Sequence, residues 1–227
     1  MKTTFKYDHY FLYEELASNL KELEAKYSSI MKVESIGVTP KNRHVFAVTL
    51  SNGDASKKPA YYIDGNTHAG EVTGSMAAMH TLDYLVTNYE CDEKVKALLD
   101  ECTVYVIPRI SPDGAEAYLT SCTKLRSVDR PYLTLEKEAG LNYEDIDQDG
   151  VLRMMRVKTP YGACKKDPEN LNLMLKRQPD EKEGEFYNVY PEGTIKEFDG
   201  CHIKMANPLW GFDFNRNYPF GWFSEVR

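Results

Sequence analysis

The chain has 227 residues, of which 42% are hydrophobic and 28% charged, a length that suits one large α/β domain or two small ones. Its formal net charge is −7 at pH 7, and it has no long basic tract, which argues against nucleic acid or an anionic membrane as the main partner. No run approaches the roughly 18 consecutive apolar residues that a transmembrane helix requires.

Two features bear on the compartment. The N-terminal residues MKTTFKYDHYFLYEELA are polar, charged and aromatic where a signal peptide would have its apolar core. The cysteines are odd in number and no pair has CxxC spacing, which predicts free thiols in a reducing compartment. We therefore expect a cytoplasmic location, with a leader removed from the chain as the alternative. The cysteines are Cys91, Cys102, Cys122, Cys164 and Cys201.

The first predicted element is an amphipathic helix. Residues 11–27 read FLYEELASNLKELEAKY, and their apolar side chains recur with the helical period. Two strands follow, VESIGVT at 33–39 and HVFAVTLSN at 44–52, joined by the turn-like PKNR. The segment AYYID at 60–64 predicts a third strand.

The next two elements are a helix and a buried strand. The helix runs from Glu71 to about Asn88, and the strand is the continuous apolar run CTVYVIPRI at 102–110, as expected of a strand buried on both faces. Strands that alternate with helices predict an α/β sheet covered on both sides. The helix should contribute Met76, Met79, Leu82 and Leu85 to the core.

The composition changes in the second half of the chain. Residues 131–206 are rich in charged residues, Asn, Gly and Pro, with little sustained periodicity, and we interpret them as an excursion from the sheet. The aromatic-rich segment that follows predicts a return to the core. One domain over residues 1–227, with an insertion at about 131–206, is therefore expected.

The stretch YYIDGNTHAGEVTGSM joins a strand to a helix and carries His68 and Glu71. Ligand sites in open α/β sheets lie beyond the carboxyl ends of strands, and an imidazole and a carboxylate three residues apart can converge on one Zn²⁺. Gly65 and Gly70 allow the backbone to turn tightly there. The alternative is a plain helix start, with Glu71 favoured by the helix dipole and His68 as a loop hydrogen-bonder.

Two further segments bear on this choice, VIPRISPDGAEAYLTSCTKLRS and GFDFNRNYP. Together with DGNTHAGE, and in this order, they resemble the zinc carboxypeptidase family of metallopeptidases. Members of that family show an H-x-x-E after a strand, then a strand running into an N-P-D-G turn, then a D-x-N-R-N segment. Ser111 stands here in place of the usual Asn, and serine initiates turns much as asparagine does.

The resemblance implies roles for particular residues. His68 and Glu71 match the first two zinc ligands, and Asp213 matches a carboxylate that orients the first of them. Asn215 and Arg216 match the pair that grips the terminal carboxylate of the substrate. Such a clamp suits the planar, bidentate geometry of arginine.

The resemblance also implies a cation beside the scissile bond. Arg126 lies where the family places an arginine that polarises the scissile carbonyl and stabilises its oxyanion, a task a guanidinium can perform. Arg130 is the nearby alternative for that role and is kept as a substrate-binding candidate. Without the resemblance, surface salt bridging would be the simpler interpretation of Arg126, Arg130 and Arg216.

The fold implied by the resemblance is a three-layer α/β/α domain with a mixed, largely parallel sheet. The activity implied is zinc-dependent hydrolysis of a C-terminal amide bond in a peptide with a free carboxylate, with one Zn²⁺ per complete site. The family's third ligand and general base would lie beyond Arg227, so this chain by itself is expected to be inactive. Two alternatives stay open: an amidase or deacylase acting on cell-wall peptides or acyl-amino acids, and a non-catalytic module that binds carboxylate-bearing peptides.

The excursion contains one acidic motif, DIDQDGVLRMMR. Asp145, Asp147 and Asp149, with the following glycine, match the first half of a calcium-binding EF-hand loop, but Arg156 stands at the twelfth position in place of a bidentate glutamate. A carboxylate-rich turn paired with Arg153 or Arg156 is the favoured interpretation, and Ca²⁺ binding is the alternative.

Overall fold

The computed structural model describes residues 2–121, 125–131 and 136–220. The chain divides into two compact units, one comprising Met1–Thr134 with Trp210–Arg227 and the other Leu135–Leu209. The second unit overlaps the predicted insertion at 131–206. That the chain forms one domain with an insertion stays a prediction.

In its described residues, the first unit has four α-helices and four strands. The helix at 11–27, the strands near 33–39, 44–52, 60–64 and 102–110, and the helix at 71–88 all form close to where the sequence predicted them. Two short helices, α3 and α4, were not predicted. The elements are α1 (Tyr13–Lys26), β1 (Met31–Val38), β2 (His44–Leu50), β3 (Ala60–Asp64), α2 (Val72–Asn88), α3 (Glu93–Glu101), β4 (Thr103–Ile107) and α4 (Pro112–Thr120).

The strands form one mixed sheet in the order β1-β2-β4-β3. The pairs β1–β2 and β2–β4 are antiparallel, whereas β3 and β4 are parallel. The mixed sheet with its helices has the predicted α/β class. Because β3 and β4 are parallel, the loops that leave their carboxyl ends meet at one edge of the sheet.

The core lies on one face of this sheet. Val48, Leu50, Val104 and Val106 of the strands pack with buried side chains of α1, α2 and α3. On the opposite face Tyr105 is 37% exposed, so the prediction that β4 is buried on both faces is wrong at this position. The cause is strand alternation, which turns Tyr105 away from its core-facing neighbours. The four predicted core residues of α2, Met76, Met79, Leu82 and Leu85, are all buried.

The N-terminal segment is fastened to α2 by the fully buried carboxylate of Asp83. Asp83 accepts hydrogen bonds from the amides of Thr4 and Phe5, and from the hydroxyl of Tyr7 at 3.2 Å. Burial raises the pKa of Tyr7 well above its usual range, and the charge of Asp83 and the hydrogen bond to it raise the pKa further. Neutral Tyr7 therefore stabilises the fold.

We expect Tyr7→Phe to change how stability depends on alkaline pH. The unfolded tyrosine loses its proton near pH 10 and the folded one does not, so above about pH 10 this residue lowers the wild-type free energy of unfolding by about 1.4 kcal/mol per pH unit. The variant should lose about 1 kcal/mol at pH 7 and lack this alkaline component. Urea unfolding from pH 7 to 11 measures it. Tyr61→Phe, at a side chain that is 66% exposed, is the control, and equal alkaline slopes for Tyr7→Phe and wild type would contradict the assignment.

The described residues of the second unit include six short strands. The sequence predicted no helix or strand in this part of the chain. One sheet pairs β10 with β5, and the other has the order β6-β9-β7-β8. Every strand pair in this unit is antiparallel. The strands are β5 (Gly140–Tyr143), β6 (Met154–Lys158), β7 (Cys164–Lys166), β8 (Met174–Lys176), β9 (Tyr187–Pro191) and β10 (Gly193–Lys196).

The acidic motif of this unit forms a tight turn. Asp145 accepts the Gly150 amide at 2.9 Å, and the Arg153 guanidinium contacts Asp149 and lies 3.5 Å from Asp147. The sequence predicted that Arg153 or Arg156 pairs with this turn, and Arg153 is the one that does. Arg156 donates instead to the carbonyl of Leu171 at 2.6 Å.

Two further sequence expectations concern membranes and thiols. Among the described residues, no helix has the length and apolar character needed to span a bilayer. The cysteines at 91, 102, 164 and 201 are free, as predicted. Cys122 lies outside the described residues.

Candidate functional site

The loop between β3 and α2 holds His68 in a buried position. Asn66, in the left-handed region at φ 60°, donates its side-chain amide to the carbonyl of His68 at 2.7 Å. Gly65 packs so closely on α2 that a Cβ there would lie 2.7 Å from the Gly74 carbonyl oxygen. These contacts set the path of the loop, and they leave the His68 side chain only 9% exposed.

His68 and Glu71 face each other at the start of α2. The Nδ1 atom of His68 lies 2.6 Å from Oε1 of Glu71, and the His68 amide lies 3.3 Å from the other carboxylate oxygen. Partial burial raises the pKa of Glu71, but the bonds from His68 and the charges of His68 and Arg126 outweigh it, and the net shift is downward. Glu71 is therefore ionised at neutral pH.

The other ring nitrogen of His68 meets the segment around the short 3-10 turn Phe214–Arg216. The side-chain amide of Asn215 lies 3.1 Å from Nε2, and Asp213 Oδ1 lies 3.5 Å from the same atom. Asp213 also caps its own turn by accepting the Asn215 amide at 2.9 Å. Both nitrogens of His68 are thus held by groups from separate parts of the chain.

Arg126 is tied to this cluster by its side chain and by its backbone. Its Nε donates to Oδ2 of Asp213 at 3.2 Å, and its carbonyl accepts the amide of Ala69 at 2.9 Å. The Arg126 side chain is 49% exposed, so the guanidinium remains accessible from solvent. Asp213 consequently lies between the imidazole and the guanidinium.

The SPDG turn at the end of β4 supports the Arg126 loop. The Ser111 hydroxyl donates to the Ser127 carbonyl at 2.7 Å, and a Cβ on Gly114 would lie 1.8 Å from that same oxygen. Asp113, which is buried, accepts from the Thr39 hydroxyl and from Arg43, each at 2.9 Å. The turn begins helix α4 and also packs against the residue that follows Arg126.

The described contacts join five predicted residues, His68, Glu71, Arg126, Asp213 and Asn215, into one cluster. The remaining two make other contacts. The Arg216 guanidinium lies 3.2 Å from the Asn215 carbonyl, and the Arg130 guanidinium lies 5.1 Å from the centre of the Phe212 ring.

Sequence reasoning missed the residues that hold the cluster in place. Asn66 and Ser127 act through backbone contacts, and Asp129 and Trp210 bond to each other across 81 residues of sequence. The one available signal was at Asn66, which lies two residues before His68. Asparagine is a residue type that tolerates a positive φ. The others carry no local pattern.

Comparison with known proteins assigns the chain to a family. The family model described as zinc carboxypeptidase matches residues 16–227, nearly the whole chain. The chain belongs to the zinc carboxypeptidase family. The family named from the three motifs is thereby confirmed.

Individual zinc carboxypeptidase relatives cover part of the chain. Carboxypeptidase M of Mus musculus is 29% identical over 116 residues, 50% of this chain and 26% of that protein. Carboxypeptidase A2 of Mus musculus is 28% identical over 112 residues, 49% of this chain and 26% of that protein. The chain thus spans about a quarter of the length of these relatives.

A solved zinc carboxypeptidase supports the fold assignment. The crystal structure of carboxypeptidase A from Helicoverpa armigera matches with a TM-score of 0.51 and 20% sequence identity, over 57% of this chain and 31% of that chain. At this identity the likeness concerns the fold alone.

The donor atoms of the cluster fit the zinc of a zinc carboxypeptidase. An imidazole nitrogen and an ionised carboxylate oxygen are typical zinc ligands, and His68 Nδ1 and Glu71 present one of each. The Glu71 side chain is 54% exposed, so it has room to separate from His68 around an ion. Asp213 beside Nε2 supplies the carboxylate that commonly orients a zinc-binding histidine.

The described residues provide no third candidate metal ligand at this cluster. Among them, the only group of at least three candidate ligands is the acidic turn formed by Asp145, Asp147 and Asp149 in the second unit. A catalytic zinc site uses three protein ligands and keeps one position open. The cluster thus brings together two candidate zinc ligands, His68 and Glu71.

Proposed function

We propose that this chain is part of a zinc-dependent peptidase that hydrolyses a C-terminal amide bond of a peptide with a free carboxylate. The observation that carries the proposal is the convergence of His68, Glu71, Arg126, Asp213 and Asn215 in one cluster. Membership of the zinc carboxypeptidase family supports it.

In the proposed reaction, zinc would supply a Lewis acid that makes a water molecule acidic enough to attack at neutral pH. His68 and Glu71 would hold the ion. Asp213 would accept the Nε2 proton of His68, which fixes the tautomer that leaves Nδ1 free as a ligand. The present contact of Asn215 with Nε2 would then give way to Asp213.

Arg126 is proposed to stabilise the negative charge that develops on the scissile carbonyl oxygen. Its bond to Asp213 and its backbone bond to Ala69 fix the base of the side chain, while the guanidinium stays half exposed. A preorganised cation loses little free energy to reorganisation when charge develops beside it. This supports an electrostatic role for Arg126.

Arg216 and Asn215 are proposed to hold the substrate carboxylate. Arg216 is exposed, and its guanidinium donates to the neighbouring carbonyl of Asn215, so it can also form a bidentate pair with a carboxylate. Asn215 can add a directional amide donor once it leaves His68. By binding the terminal carboxylate, Asn215 and Arg216 would fix the distance between the free C-terminus and the bond that is cleaved.

The test is a peptidase assay with zinc, on the longest natural polypeptide that contains this chain, using an N-blocked dipeptide and its C-terminal amide. Hydrolysis of the free acid alone is expected. Arg126→Met should lower kcat by about 10²–10³-fold, the usual loss for one oxyanion donor. Arg216→Met should chiefly raise KM, because ground-state binding is lost.

Arg153→Met is the matched control, since Arg153 pairs with an exposed acidic turn in the second unit. It should keep full activity. Equal hydrolysis of the acid and the amide, or an Arg126→Met enzyme with wild-type kcat, would refute the proposal.

A second candidate, a module that binds carboxylate-bearing peptides without catalysis, is favoured by one observation. The cluster brings together two candidate zinc ligands, His68 and Glu71, and the described residues add no third candidate there. In that case the free acid would bind without hydrolysis, and Arg216→Met would weaken binding. Hydrolysis of acyl-amino acids or cell-wall peptides in preference to dipeptides would point instead to the amidase or deacylase.

A further inference from the structure

Asp129 is a buried carboxylate that the proposed reaction does not use. Its side chain is 8% exposed. Oδ1 accepts a hydrogen bond from the indole Nε1 of Trp210 at 2.6 Å, and Oδ2 pairs with Nζ of Lys41 in the turn between β1 and β2. Asp129 therefore joins three segments that are distant in sequence.

Two of these segments carry the candidate site. Residues 126–131 begin with Arg126, and residues 210–217 contain Asp213 and Asn215. The two run antiparallel over a short distance, with a bridge between Pro131 and Trp210. The Gly211 amide donates to the Arg130 carbonyl at 2.9 Å, and the Val128 amide donates to the Phe212 carbonyl at 3.3 Å.

This backbone pairing is short, and neither partner belongs to the four-stranded sheet. Short irregular pairings with few buried contacts open easily. The hydrogen bond from the Trp210 indole to Asp129 is stronger, because its acceptor is a charged and nearly buried carboxylate. Hydrogen bonds to a charged group are about twice as strong as hydrogen bonds between neutral groups. It lies at the end of the pairing farthest from Arg126 and Asp213.

We propose that Asp129 is a positioning residue for the site. Through Trp210 it holds residues 210–217 in register with residues 126–131, which sets Asp213 at 3.2 Å from Arg126 and presents Asp213 and Asn215 to His68. Through Lys41 it fixes the same loop to the first hairpin. Asp129 acts through these residues and touches no substrate. The catalytic consequence rests on the proposed function, whereas the register itself does not.

The register is tested on the 227-residue chain by amide hydrogen exchange, read by NMR. Trp210→Phe removes the indole N–H and keeps an aromatic ring, and Asp129→Asn keeps the shape of the acceptor and removes its charge. Both should speed exchange of the Gly211 and Val128 amides by about tenfold, equivalent to about 1.4 kcal/mol of local opening. Amides of α1 should be unaffected.

Asp83→Asn is the matched control. Asp83 is also a buried carboxylate of the same unit, but it holds the N-terminal segment on α2. This variant should lower the melting temperature without a selective effect on Gly211 and Val128. Unchanged exchange at those two amides in both Trp210→Phe and Asp129→Asn would overturn the proposal.

The catalytic consequence is tested by coupling to Arg126. In the assay described above, Trp210→Phe should lower kcat/KM by about tenfold in the wild-type background. In the Arg126→Met background it should have a smaller further effect, since one of the groups that the register positions is already gone. Equal, additive losses in both backgrounds would overturn a role exerted through Arg126.

These two measurements separate the proposals. If wild type hydrolyses nothing while the exchange effect is found, the proposed function fails and the positioning of the segments by Asp129 stands. If the enzyme is active and exchange is unaltered, the function stands and the role of Asp129 fails.

Discussion

Gly114→Ala is expected to destabilise the first unit by at least about 3 kcal/mol, at the upper end of what overpacking one methyl group does. A Cβ at this position would lie 1.8 Å from the Ser127 carbonyl oxygen and 2.7 Å from the Ser111 hydroxyl oxygen. The carbonyl belongs to the backbone and cannot rotate away. Relief of the clash requires the loop that carries Arg126 to move off α4.

Urea unfolding of the chain measures the effect of Gly114→Ala. Gly37→Ala is the matched control, because a Cβ on Gly37 would meet no atom within 4 Å. The control should change the free energy of unfolding by less than about 1 kcal/mol. A Gly114→Ala variant as stable as the control would mean that the SPDG turn does not support the Arg126 loop.

A second consequence follows from the same contact. Displacement of Ser127 would break the hydrogen bond from Ser111 to its carbonyl and draw Arg126 away from Asp213. The SPDG turn is therefore part of the scaffold of the site, and it acts through Ser127 and not through His68. Its glycine is required because of a backbone contact, which a sequence pattern alone does not reveal.

Elements with a long apolar period were predictable from the sequence. Helix α1 repeats its apolar side chains over almost four turns, and β4 is a continuous apolar run between charged segments. In each case one face of the element must be buried, and the apolar residues that form this face lie close together in the sequence. The bounds differ from those predicted by only a few residues, as is usual at helix and strand ends.

Helices α3 and α4 were missed for different reasons. Helix α3 has nine residues and one narrow apolar stripe, but it had a usable signal in Asp92, whose carboxylate accepts the amides of Lys94 and Val95 as an N-cap. In α4 the residues that usually mark a turn, Pro112 and Gly114, lie inside the first helical turn. Proline is favoured at that position, so the turn and the helix start share one sequence.

The second unit was unpredictable because its strands are short and several of them, β6, β8 and β10, are largely exposed. Strands β7 and β8 have three residues each, too few to establish alternation. The pairings of β5 with β10 and of β6 with β9 join partners that lie tens of residues apart. Only the acidic turn had a local signature, and there the sequence left two arginines as possible partners, of which Arg153 pairs with the turn.

The candidate site shows the same division between local and distant information. His68 and Glu71 are neighbours on one turn, and their 2.6 Å contact follows from H-x-x-E at a helix start. The approach of Asp213 Oδ1 to within 3.5 Å of His68 Nε2 joins distant parts of the chain and was expected only from the family resemblance. The contact of His68 with Asn215, 147 residues away, was not expected. The hydrogen bond between Asp129 and Trp210 could be predicted neither from a local pattern nor from the family resemblance, because it depends on the register of two irregular segments.

Asp213→Asn is expected to weaken zinc binding at the His68–Glu71 pair by about 10–100-fold, the usual loss when the carboxylate behind a ligand histidine is removed. Asp213 is 8% exposed and lies 3.5 Å from His68 Nε2 and 3.2 Å from Arg126 Nε. An amide at this position cannot stabilise the tautomer that frees Nδ1 as strongly as a carboxylate does. It also leaves the Arg126 charge without its partner.

The measurement is competition with a chromophoric zinc chelator, with the melting temperature recorded for each variant. Asp213→Asn can still accept the Asn215 amide, so its 3-10 turn and its stability should be largely kept, whereas Asp213→Ala should lose both the cap and zinc affinity. Asp199→Asn, an exposed carboxylate that accepts only the amides of Cys201 and His202, is the control and should bind zinc like wild type. If Asp213→Asn retained wild-type zinc affinity, the ion would not be held through His68 Nδ1. The contact between Asp213 and Nε2 would then serve the fold of residues 210–217 and not the metal.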